Sequence, residues 1–462
     1  MLRDSEIRTI LEKALSRGAD FAELYFEDRE DASIGYDSDV NEIATLRSAG
    51  GGLTLIQGAR SVYVCTSELT QIALLDAVDK AAVLLSLKGG SAQIAPFRRL
   101  EIAEPCPVII TPGSVGFQDK IAILRESYGA AMAVTPALRH IELKYFDRDQ
   151  RVRVVNTEGV DAEDRRVTVR LRFTPHVENG RGAIGYFSDY AAAAGLEALK
   201  DGQYIPKLVR TIREMESSLS ADEAPSARVP VIFAGGDCTG TFFHEACGHQ
   251  LETSHLLMDG VFWDRRGERV ASEKVTLIDD GTIPGMYGSS RFDDEGMPRQ
   301  RNVLIENGVL KGFLADRMGA IKLGVPPSGS GRRQDYLHAA TARMSNTFLA
   351  AGEDDDEAIL RDTPEGLYVT TIGGGTGGSE FTLMATIAYW IKNGQIDRQV
   401  KGAMLLGRGD ETMKKIDRVG KTLVMEDSGA FCGGDSGFCP TTTSGPRMRV
   451  SEMLVGGKGG RT

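Results

Sequence analysis

Glu23-Leu24-Tyr25-Phe26-Glu27-Asp28-Arg29 returns, little changed, as Glu142-Leu143-Lys144-Tyr145-Phe146-Asp147-Arg148. Both segments carry the apolar, aromatic and charged mixture of a strand. Each also occupies the same place in a longer order. Ahead of the first, Ile7, Ile10, Leu11 and Leu15 recur at helical spacing over 5–17, and Gly18 ends that run. Five short strand-like segments follow at about 21–28, 32–37, 40–48, 51–58 and 59–65, then a helix at 69–87. The second order runs helix 116–133, strands between 139 and 188, and helix 203–217. An internal duplication is one reading of this agreement. The pattern predicts an α+β protein whose N-terminal α/β region carries antiparallel sheets.

Residues 217–228 are polar and break the pattern, so a linker is expected there. Beyond it, 230–233 has strand character, 239–253 helix character, and β signals then dominate. Asn307-Gly308 and Asn393-Gly394, each between apolar runs, predict tight hairpins. The loop at 324–335 is expected to be exposed, and the acidic run Glu353 to Glu357 to be a solvated loop or helix start. The expected division is 1–100 and 101–225 as α/β subdomains, the second a repeat of the first on the duplication reading, with 226–462 as a β-rich domain.

The chain has 462 residues, and 54 basic against 65 acidic side chains leave a net charge of -11. That balance opposes a protein that coats nucleic acid, which needs a basic footprint. The 54 glycines exceed the usual share of about 7%, and their scatter predicts many turns. The six cysteines lie far apart, as in a protein of a reducing compartment rather than a disulfide scaffold. No apolar run approaches the roughly 20 residues of a membrane helix, and no signal peptide is visible. The longest apolar run, Leu383 to Ile391, suits a buried strand. A cytoplasmic protein is expected.

Chemistry concentrates in Phe243-His244-Glu245-Ala246-Cys247-Gly248-His249-Gln250-Leu251-Glu252. Two of only six histidines lie five apart, with a glutamate directly after the first. Neutral imidazoles hold zinc, and an adjacent carboxylate is placed to take the proton of an attacking water. The spacing has a physical consequence. At about 100° per residue, positions i and i+5 splay by about 140° on a regular helix. His244 and His249 converge only if the helix carries a π-bulge or unwinds near Gly248. A catalytic site needs a third protein donor. Cys247, His255, His338, Cys432, Cys439 and the carboxylates are all candidates. Cys432 and Cys439 flank a glycine-rich turn. If both joined the two histidines, the site would be a closed structural zinc. Cys65 and Cys106 have the character of ordinary small residues. Gly373 to Gly378 formally fits a nucleotide-binding glycine pattern, but Phe381-Thr382-Leu383 follows where a helix is required. A sharp turn, or a place where a ligand's backbone approaches Gly373, Gly374 and Gly375, suits it better.

The His244-Glu245-x-x-x-His249 motif with Leu251-Glu252 resembles the signature of the TldD/PmbA family, the TldD-type metalloproteases. Phe292-Asp293-Asp294-Glu295-Gly296, Leu304 to Leu310, Gly331-Arg332-Arg333, Arg343-Met344-Ser345-Asn346-Thr347 and Phe431-Cys432-Gly433 match as well. The resemblance covers nearly the whole chain and is densest from 230 to 440. It implies a β-rich C-terminal domain carrying Zn²⁺, with His244, His249 and Cys432 as ligands and Glu245 as catalytic base. It also implies peptides or unfolded polypeptides as substrates, including precursors of modified peptide antibiotics. Partnership is implied too, as a homodimer or with a sister subunit lacking the metal motif. Family members were once described as modulators of DNA gyrase, but direct DNA binding sits badly with the net charge of -11. Cys247 departs from the small apolar residue expected within the motif. A non-enzymatic peptide- or protein-binding protein with a closed zinc site of Cys432, Cys439, His244 and His249 is the competing reading. Metal coordination discriminates the two.

Overall fold

The two related segments lie in neighbouring strands of a single sheet. Phe21–Asp37 runs antiparallel to Leu138–Asn156, with Leu24 opposite Val155 and Tyr36 opposite Leu143. Asp39–Gln57 and Arg60–Thr66 extend the sheet on one side, and Val160–Asn179 on the other. This computed structural model describes residues 2–91, 93–425 and 429–458.

The five short segments expected between 21 and 65 are three strands, two of them long. Asp31 and Ser33 do not interrupt the first, because partners on both sides satisfy its backbone. Gly50 and Gly52 are not turns either. A Cβ at Gly50 would strike the Tyr336 ring, and one at Gly52 the Tyr63 ring, so both glycines make room for aromatic packing. Helices Asp4–Ser16 and Gln71–Leu85 bury Ile7, Leu11, Leu74 and Val78 against Leu24, Leu53 and Val155. Helices Phe117–Met132 and Ile205–Ser218 bury Leu124, Leu208 and Ile212 against Tyr145 and Leu171.

Residues 217–228 are not a free tether. The helix runs to Ser218, Asp222–Glu223 pairs with Val400 and Lys401, and Ala224 is fully buried. Next, Ala227–Phe233 enters a second sheet that closes on itself. Ala227–Phe233 pairs with Glu365–Thr376 and Met448–Gly456, and Met448–Gly456 with Ala403–Arg408. Ala403–Arg408 pairs with Glu380–Lys392, which returns to Glu365–Thr376. The run Leu383 to Ile391 is thus a buried strand of this barrel, as its sequence suggests. Helix Asp237–Phe243 follows Ala227–Phe233, and Phe242 packs on Phe233 and Phe381 with ring centroids 4.9 and 5.5 Å apart. A third sheet carries Gly429–Cys432 and Cys439–Ser444 at one side.

Both Asn-Gly hairpins form, with Asn307, Gly308, Asn393 and Gly394 in the left-handed region at φ +47°, +80°, +54° and +74°. The acidic run starts the helix Asp356–Arg361, capped by Asp355. The loop at 324–335, expected to be exposed, buries Ser328, Ser330, Arg333 and Asp335. Its polar groups find partners that make burial tolerable. The Arg333 N–H donates to Asp294 at 2.8 Å, and its guanidinium to the Asp294 carbonyl at 2.9 Å, with Glu23 of the first sheet 3.5 Å away.

Candidate metal centre

The helix that begins at Asp237 changes its winding at His244. Residues His244–Gly248 form a π turn and His249–Leu251 a 3₁₀ turn, with the His249 N–H donating to the His244 carbonyl. That five-residue closure stacks position 249 over position 244, the distortion the i, i+5 spacing demands. Gly248 keeps ordinary right-handed backbone at φ -55°, and its missing Cβ makes room for the Met344 sulfur. The rings of His244 and His249 meet edge to face at 4.7 Å between centroids.

Cys432 completes the group from the third sheet. Donor atoms of His244, His249 and Cys432 all lie within 4.8 Å of one another, and Cys432 Sγ is 3.5 Å from His249 Nε2. Cys439, Cys247 and His338 lie outside this cluster. The Cys247 thiol is fully buried 3.5 Å from the Phe243 carbonyl, and burial pushes its pKa up, which keeps it protonated. His338 pairs with Asp335 at 2.7 Å.

Two further residues, quoted in the sequence motifs without a role, hold the cluster. Glu252 is fully buried and accepts from His249 Nδ1 at 3.1 Å and from the Met344 N–H at 2.9 Å. A carboxylate accepts, so His249 carries its proton on Nδ1 and turns Nε2 toward Cys432. Burial opposes the Glu252 charge, yet His249, Arg343 and the Met344 N–H hold its carboxyl below the usual range. Arg343 lies 3.6 Å from Glu252 and donates to the carbonyls of Cys432 and Gly437 at 2.6 and 2.9 Å. One buried carboxylate therefore orients His249 directly and steadies the Cys432 turn through Arg343. Spacing carries no signal for this arrangement; a buried charge beside a ligand motif is the only hint. His255 stands 3.5 Å from the same carboxylate.

The residues suit a divalent metal. Among the described residues His244 Nδ1 is buried with no hydrogen-bond partner, an expensive state for a polar atom unless it meets a ligand. Burial works against the Cys432 thiolate, but His244 and His249 outweigh it and bring the thiol down to about 5. Burial likewise opposes charge on His249, while Cys432 and Glu252 push it up to about 11. A metal ion held by these residues would displace a proton from Cys432 or His249 on binding.

Beside the cluster lies an open cleft of about 440 Å³ between the barrel and the first sheet. Asp237, Thr241 and Glu245, at i, i+4 and i+8, form one wall, while Phe242, Phe243 and Ala246 turn into the core. Thr370 to Gly375 form another wall. Glu245 is half-buried, lies outside the three-donor cluster, and nests against Gly375 and Gly377, whose added Cβ atoms would crowd it. Glu365–Thr376 pairs with Ala227–Phe233 only as far as Val369, so among the described residues the 370–376 edge facing the cleft has no strand partner. Gly374 opens onto free space, whereas Cβ atoms at Gly373 and Gly375 would meet Thr386 and Leu383.

Residues 226–457 match the family model of the PmbA/TldA metallopeptidase C-terminal domain, and 110–219 that of the central domain. A metalloprotease TldD homolog of Haemophilus influenzae is 31% identical over 96% of this chain and 94% of its own length. One from Buchnera aphidicola is 30% identical over 99% of this chain and 96% of its own. Among solved structures, a putative modulator of DNA gyrase from Thermotoga maritima superposes with a TM-score of 0.78 at 18% identity, covering 98% of this chain and all of its own. TldE from Thermococcus kodakarensis does so with 0.74 at 17% identity, over 97% of this chain and 99% of its own. At these identities the likeness is one of fold.

Proposed function

The chain belongs to the PmbA/TldD metallopeptidase family, and we propose that it is a zinc peptidase acting on peptides and unfolded polypeptides. The convergence of His244, His249 and Cys432 beside a cleft that Glu245 lines is the observation that carries this reading. In it the three converging residues hold the metal. Two imidazoles and one thiolate suit zinc. When bound, zinc supplies Lewis acidity that lets a water lose its proton near neutral pH. Glu245 takes that proton and passes it to the leaving amine. Glu252 and Arg343 keep His249 and Cys432 in place. The absence of Cys439 from the cluster weighs against the closed structural site.

The test is cleavage of unfolded casein by the full chain with and without chelator, together with metal analysis. Loss of cleavage on chelation and its return with zinc support the reading. Cleavage indifferent to chelator overturns it. Removal of an outer partner of a metal ligand typically costs about 10–100-fold in affinity. Glu252→Gln is expected to weaken zinc binding by that amount in competition with a chromophoric chelator, with the fold retained by circular dichroism. Unchanged affinity would make Glu252 a packing residue.

In this reading, substrates are threaded as extended chains along the unpartnered 370–376 edge. Pairing through the main chain gives broad sequence tolerance and excludes folded proteins, whose backbone groups are already paired. Gly374→Val places a branched side chain in the cleft where no protein atom lies within 4 Å, but φ +158° strains valine there, so circular dichroism must show the fold retained. The substitution is expected to raise KM for peptides on the order of tenfold with zinc content unchanged. Equal cleavage of a stable folded domain and its unfolded form would sink the threading idea. A cytoplasmic location and pairing, as a homodimer or with a sister subunit, complete the proposal. The TldE likeness supports a sister subunit as the partner class.

A further inference from the structure

Cys439 stands directly opposite Cys432 where Gly429–Cys432 pairs antiparallel with Cys439–Ser444. Directly opposed residues present their side chains to the same face of a sheet. Opposed residues of an antiparallel pair have Cα atoms about 4.5–5.5 Å apart, within the range of about 4.4–6.8 Å that a disulfide spans. Both thiols are free and both residues buried. Yet Cys439 is not among the donors that converge with the imidazoles. Cys432 thus has two alternatives, the histidine pair or the thiol across the ladder.

The hairpin keeps the two residues opposed whichever alternative is taken. Arg343 holds the carbonyls of Cys432 and Gly437, and the Gly437 N–H donates to the Gly434 carbonyl at 2.9 Å. The turn is therefore pinned through its backbone, leaving the Cys432 side chain to choose its partner. Cys247, buried against the Phe243 carbonyl, has no such cross-strand thiol.

We propose that Cys432 and Cys439 form an oxidisable pair, and that their disulfide, made at the expense of a hydroperoxide, withdraws Cys432 from His244 and His249 and empties the metal centre. The proposal rests on the reading of Cys432 as a metal donor. Cys432 sulfur attacks one peroxide oxygen, the O–O bond breaks, and a sulfenic acid and one water form. Cys439 sulfur then attacks the sulfenic sulfur. The S–S bond forms, the S–O bond breaks, and a second water leaves with the remaining thiol proton. Two thiols lose two electrons and hydrogen peroxide gains them. A disulfide reductant such as a dithiol reverses the change.

The test begins with the full chain stripped of metal and treated with hydrogen peroxide. Peptide mapping is expected to find Cys432 joined to Cys439, with Cys65, Cys106, Cys238 and Cys247 outside that bond. The zinc-loaded chain, treated alike, should release about one zinc for each such disulfide, read by a zinc indicator. Cys439→Ser should bind zinc as the parent does under reducing conditions. At the peroxide dose that empties half of the parent, it should release at least tenfold less zinc. A metal-free chain in which Cys432 ends as sulfinic acid, with no bond to Cys439, overturns the proposal. So does equal zinc release from the parent and Cys439→Ser. The bond in the metal-free chain is read without reference to zinc. Failure of the thiol pair is therefore distinguishable from failure of Cys432 as a ligand, which shows as poor zinc binding by the reduced parent.

Discussion

Glu245→Gln should leave the protein loaded with about one zinc per chain while its peptidase activity falls by roughly 10²–10⁴-fold. The amide has nearly the shape of the carboxylate, so the wall of the cleft is preserved and only the capacity to take a proton is lost. The geometry separates the two readouts. Glu245 follows His244 directly in the chain, yet it lies outside the cluster of converging donors and lines the cleft with Asp237 and Thr241. Its side chain nests where Gly375 and Gly377 leave room, so the substitution brings no new contact into the ligand group. Metal analysis of the purified variant and initial rates on unfolded casein decide the matter together. An empty site in Glu245→Gln would make Glu245 a ligand. Full activity would move the base elsewhere on the cleft wall, with Asp237 next in line.

The winding of the ligand helix was legible because the chemistry constrains it. Two imidazoles five residues apart cannot meet on a regular helix, and His244–Gly248 is indeed a π turn. The Asn-Gly hairpins were equally plain, since few residues accept left-handed backbone at both positions. Strand lengths were not, because Gly, Asp and Ser mark turns only when no partner strand claims their backbone. At Gly50 and Gly52 the glycine serves a ring brought from elsewhere, Tyr336 in one case and Tyr63 in the other. The burial of Arg333 and Asp335 escaped for a related reason. Charged loops stay in water unless a distant segment supplies counter-charges, and Glu23 lies 310 residues away. Glu252 and Arg343 stood in plain view within the motifs. Their work, orienting His249 and pinning the Cys432 turn, depends on a contact across 91 positions that no spacing announces.

Cys432→Ser should weaken zinc binding by roughly three orders of magnitude, well beyond the about 10–100-fold of losing an outer partner such as Glu252. The thiolate supplies a negative charge and a soft donor; serine hydroxyl supplies neither at neutral pH. His244 and His249 would be left as two neutral donors, short of the three that a catalytic zinc requires. The environment is built for the charged form, since the imidazoles bring the Cys432 thiol down to about 5 against the opposing cost of burial. A serine hydroxyl brings no charge to offset that of a divalent ion, so the converging group loses its one anionic donor. Chelator competition measures the loss, and a cobalt-substituted parent provides a second view through its thiolate charge-transfer absorption, which the variant should lack. Cys247→Ser and Cys439→Ser, assayed under reducing conditions, should keep parental zinc affinity because neither sulfur lies in the converging group. Equal losses from Cys432→Ser and Cys439→Ser would instead establish four protein donors. A site filled by four protein donors has no position left for water, and the peptidase reading would give way to a structural zinc.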